Sequence, residues 1–364
     1  MTEMIIREPG PQTTVQDLGR FGSQSLGVPP SGAADPDALE TANLLVGNNP
    51  GEACLECTLR GPVLEFTGPA AFSLCGGRSE ARLNDAEVPL WATVYAKAGD
   101  VLTIGPVETG LRIYLSVGGG LDIPPVLGSR STYARAGFGG WEGRALQAGD
   151  RIPLRTDPDP RPLPAWIVPE GERPGYPSEI RVRAVPSHEI DRFRPESVER
   201  FFRDPYAVSP KSDRMGCRLE GTPLVHVRGA DIVSSGVLTG TVQVPGDGLP
   251  IVLLADRQTT GGYTRIAHVI RTDLPKLGQA RPGDRVRFDR ATLEEAREAW
   301  DAREAVLRSR IRPRATVLPG AAGDSAAALQ STSPGAPDRA FVGPRRRFRV
   351  VVDGREYDVE LLEV

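Results

Sequence analysis

The densest run of chemically able residues is Asp256-Arg257-Gln258-Thr259-Thr260-Gly261-Gly262-Tyr263. The apolar residues 251–254 precede it, so a buried strand should deliver Asp256 into a polar, glycine-rich loop. There Asp256 would orient or deprotonate an amide nitrogen or an attacking water, and Tyr263 would donate to developing charge. Gly261 and Gly262 would let backbone N–H groups approach a substrate with no Cβ in the way. Gln243, Thr259 and Thr260 add amide and hydroxyl groups for substrate binding. The competing reading is a hairpin turn held by Asp256 and Thr259.

Three further groups carry chemistry. Asp213-Arg214 sets an acceptor beside a planar donor fork, which can hold an amide or carboxylate bidentately. A structural ion pair is the alternative. Asp17 and Arg20, followed by Ser31, cluster polar groups on loops beside a capped helix; the alternative is turn chemistry with Asp17 and Arg20 as a local ion pair. Residues 129–144 are rich in glycine and permit close backbone approach, in a ligand, interface or turn role. They lack the Gly-Lys-Ser/Thr ending of a phosphate loop. The three histidines share no ligand spacing with a carboxylate. Cys54 and Cys57 should lie on one strand with their side chains on opposite faces, as structural thiols. No metal site is expected. No Gly-x-Ser-x-Gly elbow is present.

These segments need a scaffold, and short apolar runs broken by turn residues predict a mainly β one. Gly (41) and Pro (34) recur throughout the 364 residues, and Gly-Asp turns at 99–100, 149–150 and 283–284 each precede a strand. Helices are predicted over 35–46, with Asp35 as N-cap and Pro36 first, over about 189–202, and over about 293–310. The expected layout is an N-terminal β-rich domain (1–155), a Pro-rich linker (156–177), a β-barrel domain (178–290) and a charged helix (291–311). A disordered linker (312–342) and a C-terminal β-hairpin (343–364) around Asp353-Gly354 would follow. A net charge of -3 gives no reason to expect a nucleic acid or an anionic membrane as partner. No apolar run reaches the roughly 20 residues of a membrane helix. With no signal peptide legible at the N-terminus, a cytoplasmic location is expected.

Taken in order, Thr13-Thr-Val-Gln-Asp-Leu-Gly-Arg20, Ala42-Asn-Leu-Leu-Val-Gly-Asn48, Ser212-Asp-Arg-Met-Gly216 and Leu253-Leu-Ala-Asp-Arg-Gln-Thr-Thr-Gly-Gly-Tyr263 resemble the biotin-dependent carboxyltransferase family. Its members are also called allophanate hydrolase subunit 2, KipA-like proteins or 5-oxoprolinase C subunits. Two departures are Thr264 and Gly246, where relatives often carry Pro. The resemblance implies two cyclophilin-like β-barrel domains and a KipI-like protein as the first partner. With a LamB/YcsF-type protein as the second, it implies ATP-driven opening of 5-oxoproline to glutamate, the chain being inactive alone and ATP bound with the partners. The alternatives it leaves are a carboxyltransferase component that works on urea or a related amide, and a non-enzymatic KipA-type antagonist of a kinase inhibitor. All the enzymatic readings share a small amide substrate. The tail from Phe348 resembles the segment before biotin carrier domains. Met-Lys-Met occurs nowhere in the chain, so no covalent biotin is expected on it.

Overall fold

The computed structural model describes residues 2–155 and 165–314 with their side chains, and Arg345–Val352 and Arg355–Leu362 by backbone. The chain divides into two compact units, Met1–Thr316 and Val317–Val364. The fold is mainly β.

Within the larger unit, the strands between Glu3–Glu8 and Arg151–Pro153 form one nine-stranded sheet. Its spine is a pair of long strands, Ala70–Leu83 and Val101–Val117, bonded along most of their length with bulges. The first half of Val101–Val117 also pairs with Val63–Phe66, and its second half with Cys54–Thr58. One strand serving two neighbours in succession must bend, and the paired strand bends with it. Gly76 stands at φ +114, where a Cβ would lie 2.4 Å from the Arg112 carbonyl oxygen. This sheet curves without closing, so the first of the two expected barrels is an open half-barrel.

Alternation gives the half-barrel two different faces. Val15, Leu55, Cys57, Ile113 and Leu115 point into its apolar core. Thr14, Glu56 and Tyr114 sit opposite one another in register on the other face. Cys54 belongs to a separate cluster with Cys75 and Tyr114, so Cys54 and Cys57 do face opposite ways. Helix Pro36–Leu45 packs Leu39, Ala42 and Leu45 onto that cluster. Asp35 caps it by accepting from the Ala38 N–H at 3.0 Å.

The second barrel closes. Its seven strands run in the order Glu179–Pro186, Arg265–Val269, Thr241–Gln243, Ile251–Leu253, Gly216–Glu220, Tyr206–Val208 and Arg285–Arg290, which returns to Glu179–Pro186 in parallel. Phe201 and Phe288 stack at 4.3 Å within its core. Helix Leu293–Ser309 follows, opened by a Thr292/Glu295 capping box.

Three local expectations need correction. The helix expected over 189–202 is a 3-10 turn, Ile190–Arg192, followed by helix Pro195–Arg203. Pro195 starts that helix rather than interrupting it, because the first turn needs no N–H. Thr260–Tyr263 is a strand, paired with Asp231–Gly236, and not a loop. Arg312–Pro313, expected in the disordered linker, pairs with Trp166–Ile167. Residues 156–164 of the Pro-rich linker and 315–342 of the second linker lie outside the described residues, as do Asp353 and Gly354. Arg345–Val352 and Arg355–Leu362 pair antiparallel as a hairpin. No helix among the described residues is long and apolar enough to cross a membrane.

Candidate functional site

The polar face of the half-barrel is where the second barrel docks, and a buried charge network joins the two. Glu56, on Cys54–Thr58, is 1% exposed. Its Oε2 accepts from the Tyr114 hydroxyl (2.7 Å) and the Ala34 N–H (2.9 Å). Its Oε1 accepts from Arg214, which reaches across from the second barrel, and lies 3.4 Å from Arg112 Nε. Burial pushes the Glu56 carboxyl up, but Arg214 and then Arg112 outweigh it and hold it below its usual range. For Arg214, burial works to lower the pKa, and Asp256 and Glu56 together raise it above the ordinary value.

Arg214 and Asp256 form a forked pair. Arg214 Nε donates to Asp256 Oδ2 at 2.8 Å and Nη2 to Oδ1 at 3.2 Å. Nη2 also donates to the Gly32 carbonyl. With the Glu56 bond, these contacts use four of the five guanidinium N–H groups. Arg214 is thus committed to holding Asp256 and the other barrel, and it keeps at most one donor for a ligand. Asp256 is oriented through both of its oxygens.

A second pin lies beside the first. Asp35 Oδ2 accepts from Gln279 Nε2 (2.8 Å) and the Tyr176 hydroxyl (2.9 Å). Gln279 Oε1 in turn accepts from the N–H groups of Leu111 and Arg112. Burial, aided by the charge of Asp37, raises the Asp35 carboxyl to about 6 against these hydrogen bonds.

A cleft of about 390 Å³ opens along this seam. The half-barrel contributes Gln12, Thr14, Gln16, Thr58 and Arg112; the second barrel contributes Asp213, Arg214, Met215 and Asp256. Arg135 comes from the glycine-rich segment. The structure therefore brings together Asp213, Arg214 and Asp256. Asp213 is exposed and turns its Oδ1 onto the N–H groups of Met215 and Gly216.

The other expected site residues lie elsewhere. Tyr263 is 42% exposed on the Thr260–Tyr263 ribbon and does not line the cleft. Thr260, Gly261 and Gly262 belong to the same ribbon, and the Thr259 carbonyl accepts from Val237 N–H at its base. Gln243 is buried beneath it; a Cβ on Gly261 would lie 2.3 Å from Gln243 Nε2. Asp17 and Arg20 do not pair with each other. Asp17 accepts from Gly19 N–H, Ser129 Oγ, Arg130 N–H and Ser131 Oγ. Arg20 donates to carbonyls of Val126 and Ser131 and lies 4.9 Å over the Phe138 ring. Both fasten the segment that carries Arg135. Ser31 holds φ +55, and its N–H donates to the Ala255 carbonyl at 3.1 Å, next to Asp256.

Sequence reasoning passed over Glu56, Arg112, Tyr114, Gln279 and Gln16. A signal existed for Glu56: it stands in Cys54-Leu-Glu-Cys-Thr58, a strand whose other residues all suit burial. A carboxylate there needs cationic partners. The glycine-rich segment does not fit a phosphate cradle. A Cβ on Gly139 would strike the Ser131 carbonyl at 2.1 Å, and one on Gly143 would strike Gly137 at 2.1 Å. Gly139, Gly140 and Gly143 serve packing within the half-barrel.

The family described as carboxyltransferase domain, subdomain A and B, matches residues 26–290. The chain belongs to this carboxyltransferase family. As a family member it is 42% identical over 299 residues to the 5-oxoprolinase C subunit of Escherichia coli K12, covering 81% of this chain and 93% of that one. The Haemophilus influenzae protein of the same name is 37% identical, with coverage of 78% and 90%. Among solved structures, Kluyveromyces lactis urea amidolyase superimposes with a TM-score of 0.79 at 32% identity over 87% of this chain. The carboxyltransferase chain spans only 21% of that protein. Glu56, Asp213, Arg214 and Asp256 fall inside the matched residues; Thr14 and Gln16 precede them.

Proposed function

We propose that the chain is the C subunit of an ATP-dependent 5-oxoprolinase, which opens 5-oxoproline to glutamate. The observation that carries this reading is the match along 93% of the Escherichia coli 5-oxoprolinase C subunit. The cleft is compatible with it. Its volume suits a small cyclic amide, and Gln12, Thr14 and Gln16 offer neutral donors and acceptors to an amide group. Asp213, Arg214 and Asp256 line its other wall, with Asp256 the candidate to orient a substrate nitrogen or a water. Partners in this reading are a KipI-like protein and a LamB/YcsF-type protein. ATP would be bound with them, because this chain carries no Gly-Lys-Ser/Thr phosphate loop. The likeness to urea amidolyase supports a second reading, carboxyl transfer to urea or a related amide.

Co-expression of the chain with KipI-like and LamB/YcsF-type proteins tests the first reading. The expected result is ATP-dependent glutamate release from 5-oxoproline by the complex and none by the chain alone. Turnover by the chain alone would overturn the assignment of ATP to its partners. Carboxylation of urea from carboxybiotin, with no glutamate release, would replace the first reading by the second.

A further inference from the structure

The cationic groups along the cleft are ion-paired, with one exception. Arg112 faces Glu56, Arg214 is held by Asp256 and Glu56, and Asp213 caps its own turn. Arg135 also lines the cleft, is exposed, and forms no ion pair with an acidic side chain among the described residues. Its guanidinium lies against the Met215 sulfur, a weak acceptor that an anion displaces readily.

Arg135 is also held in place. Ala136 and Gly137 N–H groups donate to the Tyr133 carbonyl at 3.2 and 3.1 Å, folding a tight turn around it. The Tyr133 and Phe138 rings meet edge-on at 5.6 Å, and Arg20 covers Phe138. Gly139 and Gly143, both at positive φ, have no room for a side chain. A wound, packed segment thus presents a guanidinium with no ion-pair partner to a cleft that is also lined by the neutral side chains of Gln12, Thr14 and Gln16. That lining suits a ligand that carries both a neutral amide and an anion.

We propose that Arg135 is the specificity-determining residue that receives the carboxylate of an anionic lactam, with the lactam amide against Gln12, Thr14 and Gln16. This rests on the 5-oxoproline reading and deepens it. Urea has no such anion, so Arg135 is the group that separates the two substrate classes.

The test is calorimetric binding to the full chain purified with its co-expressed partners. The ligands are 5-oxoproline, its neutral carboxamide, 2-pyrrolidone and urea. A hydrogen-bonded charge of this kind gives the acid an advantage of about 10-fold over the carboxamide. Arg135→Gln should abolish that advantage and leave 2-pyrrolidone binding unchanged, while Arg135→Lys should keep part of it. In turnover, Arg135→Gln should raise KM for 5-oxoproline at unchanged kcat. An acid preference that survives Arg135→Gln, a wild type with no acid preference, or a wild type that binds no lactam each overturns the proposal. Failure of the hydrolase reading looks different: no glutamate release, with the acid preference present and lost in Arg135→Gln.

Discussion

Replacing Glu56 by Gln keeps the side chain's shape and removes one negative charge from beneath two guanidinium groups. Arg214 retains its fork to Asp256, but Arg112 Nε, 3.4 Å from Glu56, loses its counter-charge while staying 5% exposed. The amide also turns a donor toward groups that now donate to Glu56, the Ala34 N–H and the Tyr114 hydroxyl. Removing one member of a buried pair costs about 3–5 kcal/mol. Because Arg214 remains neutralised by Asp256, the lower end applies, about 3 kcal/mol. At about 2 °C per kcal/mol for a large domain, the melting temperature should fall by about 6 °C at pH 7. The pH dependence gives a second reading. The folded pKa of Glu56 is depressed, so its stabilisation is present above the unfolded value, near 4.3, and is lost as pH falls through the folded pKa. The gap between wild type and variant should therefore narrow in acid. Thermal and urea unfolding between pH 7 and pH 3 measure both effects. A variant within about 1 kcal/mol of wild type at pH 7 would refute the argument that Glu56 neutralises the seam. So would a penalty that stays constant into acid.

Two other perturbations follow from the same packing. Asp35 is raised to about 6 in the folded state, so the native protein binds its proton more tightly than the unfolded chain and loses stability as pH rises from about 4 to 6. Asp35→Asn, which still caps the helix, should gain on the order of 2–3 kcal/mol relative to wild type between pH 4 and pH 7 by urea unfolding; a constant difference would count against the shift. Gly139→Ala places a Cβ 2.1 Å from the Ser131 carbonyl at φ +72. It should cost about 1–3 kcal/mol in unfolding and weaken the acid preference assigned to Arg135, whereas an unaltered protein would show that the segment yields easily.

Local chemistry was legible in the sequence wherever it depended on neighbours along the chain. The cap Asp35-Pro36 set the first helix within one residue, and apolar alternation marked most strands. The start of the second helix was not legible, because a periodic pattern over 189–202 does not fix where the helix begins, and the role of Pro195 depends on that start. The ribbon of Thr260–Tyr263 misled differently. Two glycines and two hydroxyls read as a loop, yet the glycines allow close contact, with Gln243 beside Gly261 and Ser234 beside Gly262. Arg214 and Asp256 were singled out as able residues in separate segments, 42 positions apart, and their pairing needed the fold. Glu56 is 158 positions from Arg214, and no local pattern announces such a contact.

That distance matters for how the site works. Asp256 is held at both oxygens by Arg214, Arg214 is held by Glu56 and the Gly32 carbonyl, and Glu56 and Gly32 belong to the half-barrel. The orientation of the most promising carboxylate in the second barrel is therefore set by the first. The four charges Glu56, Arg112, Arg214 and Asp256 sum to zero, so the seam can be buried without a net charge, which an isolated member could not. A partner protein that shifted one barrel against the other would change the bonds to Glu56 and Gly32 before it changed the fork itself.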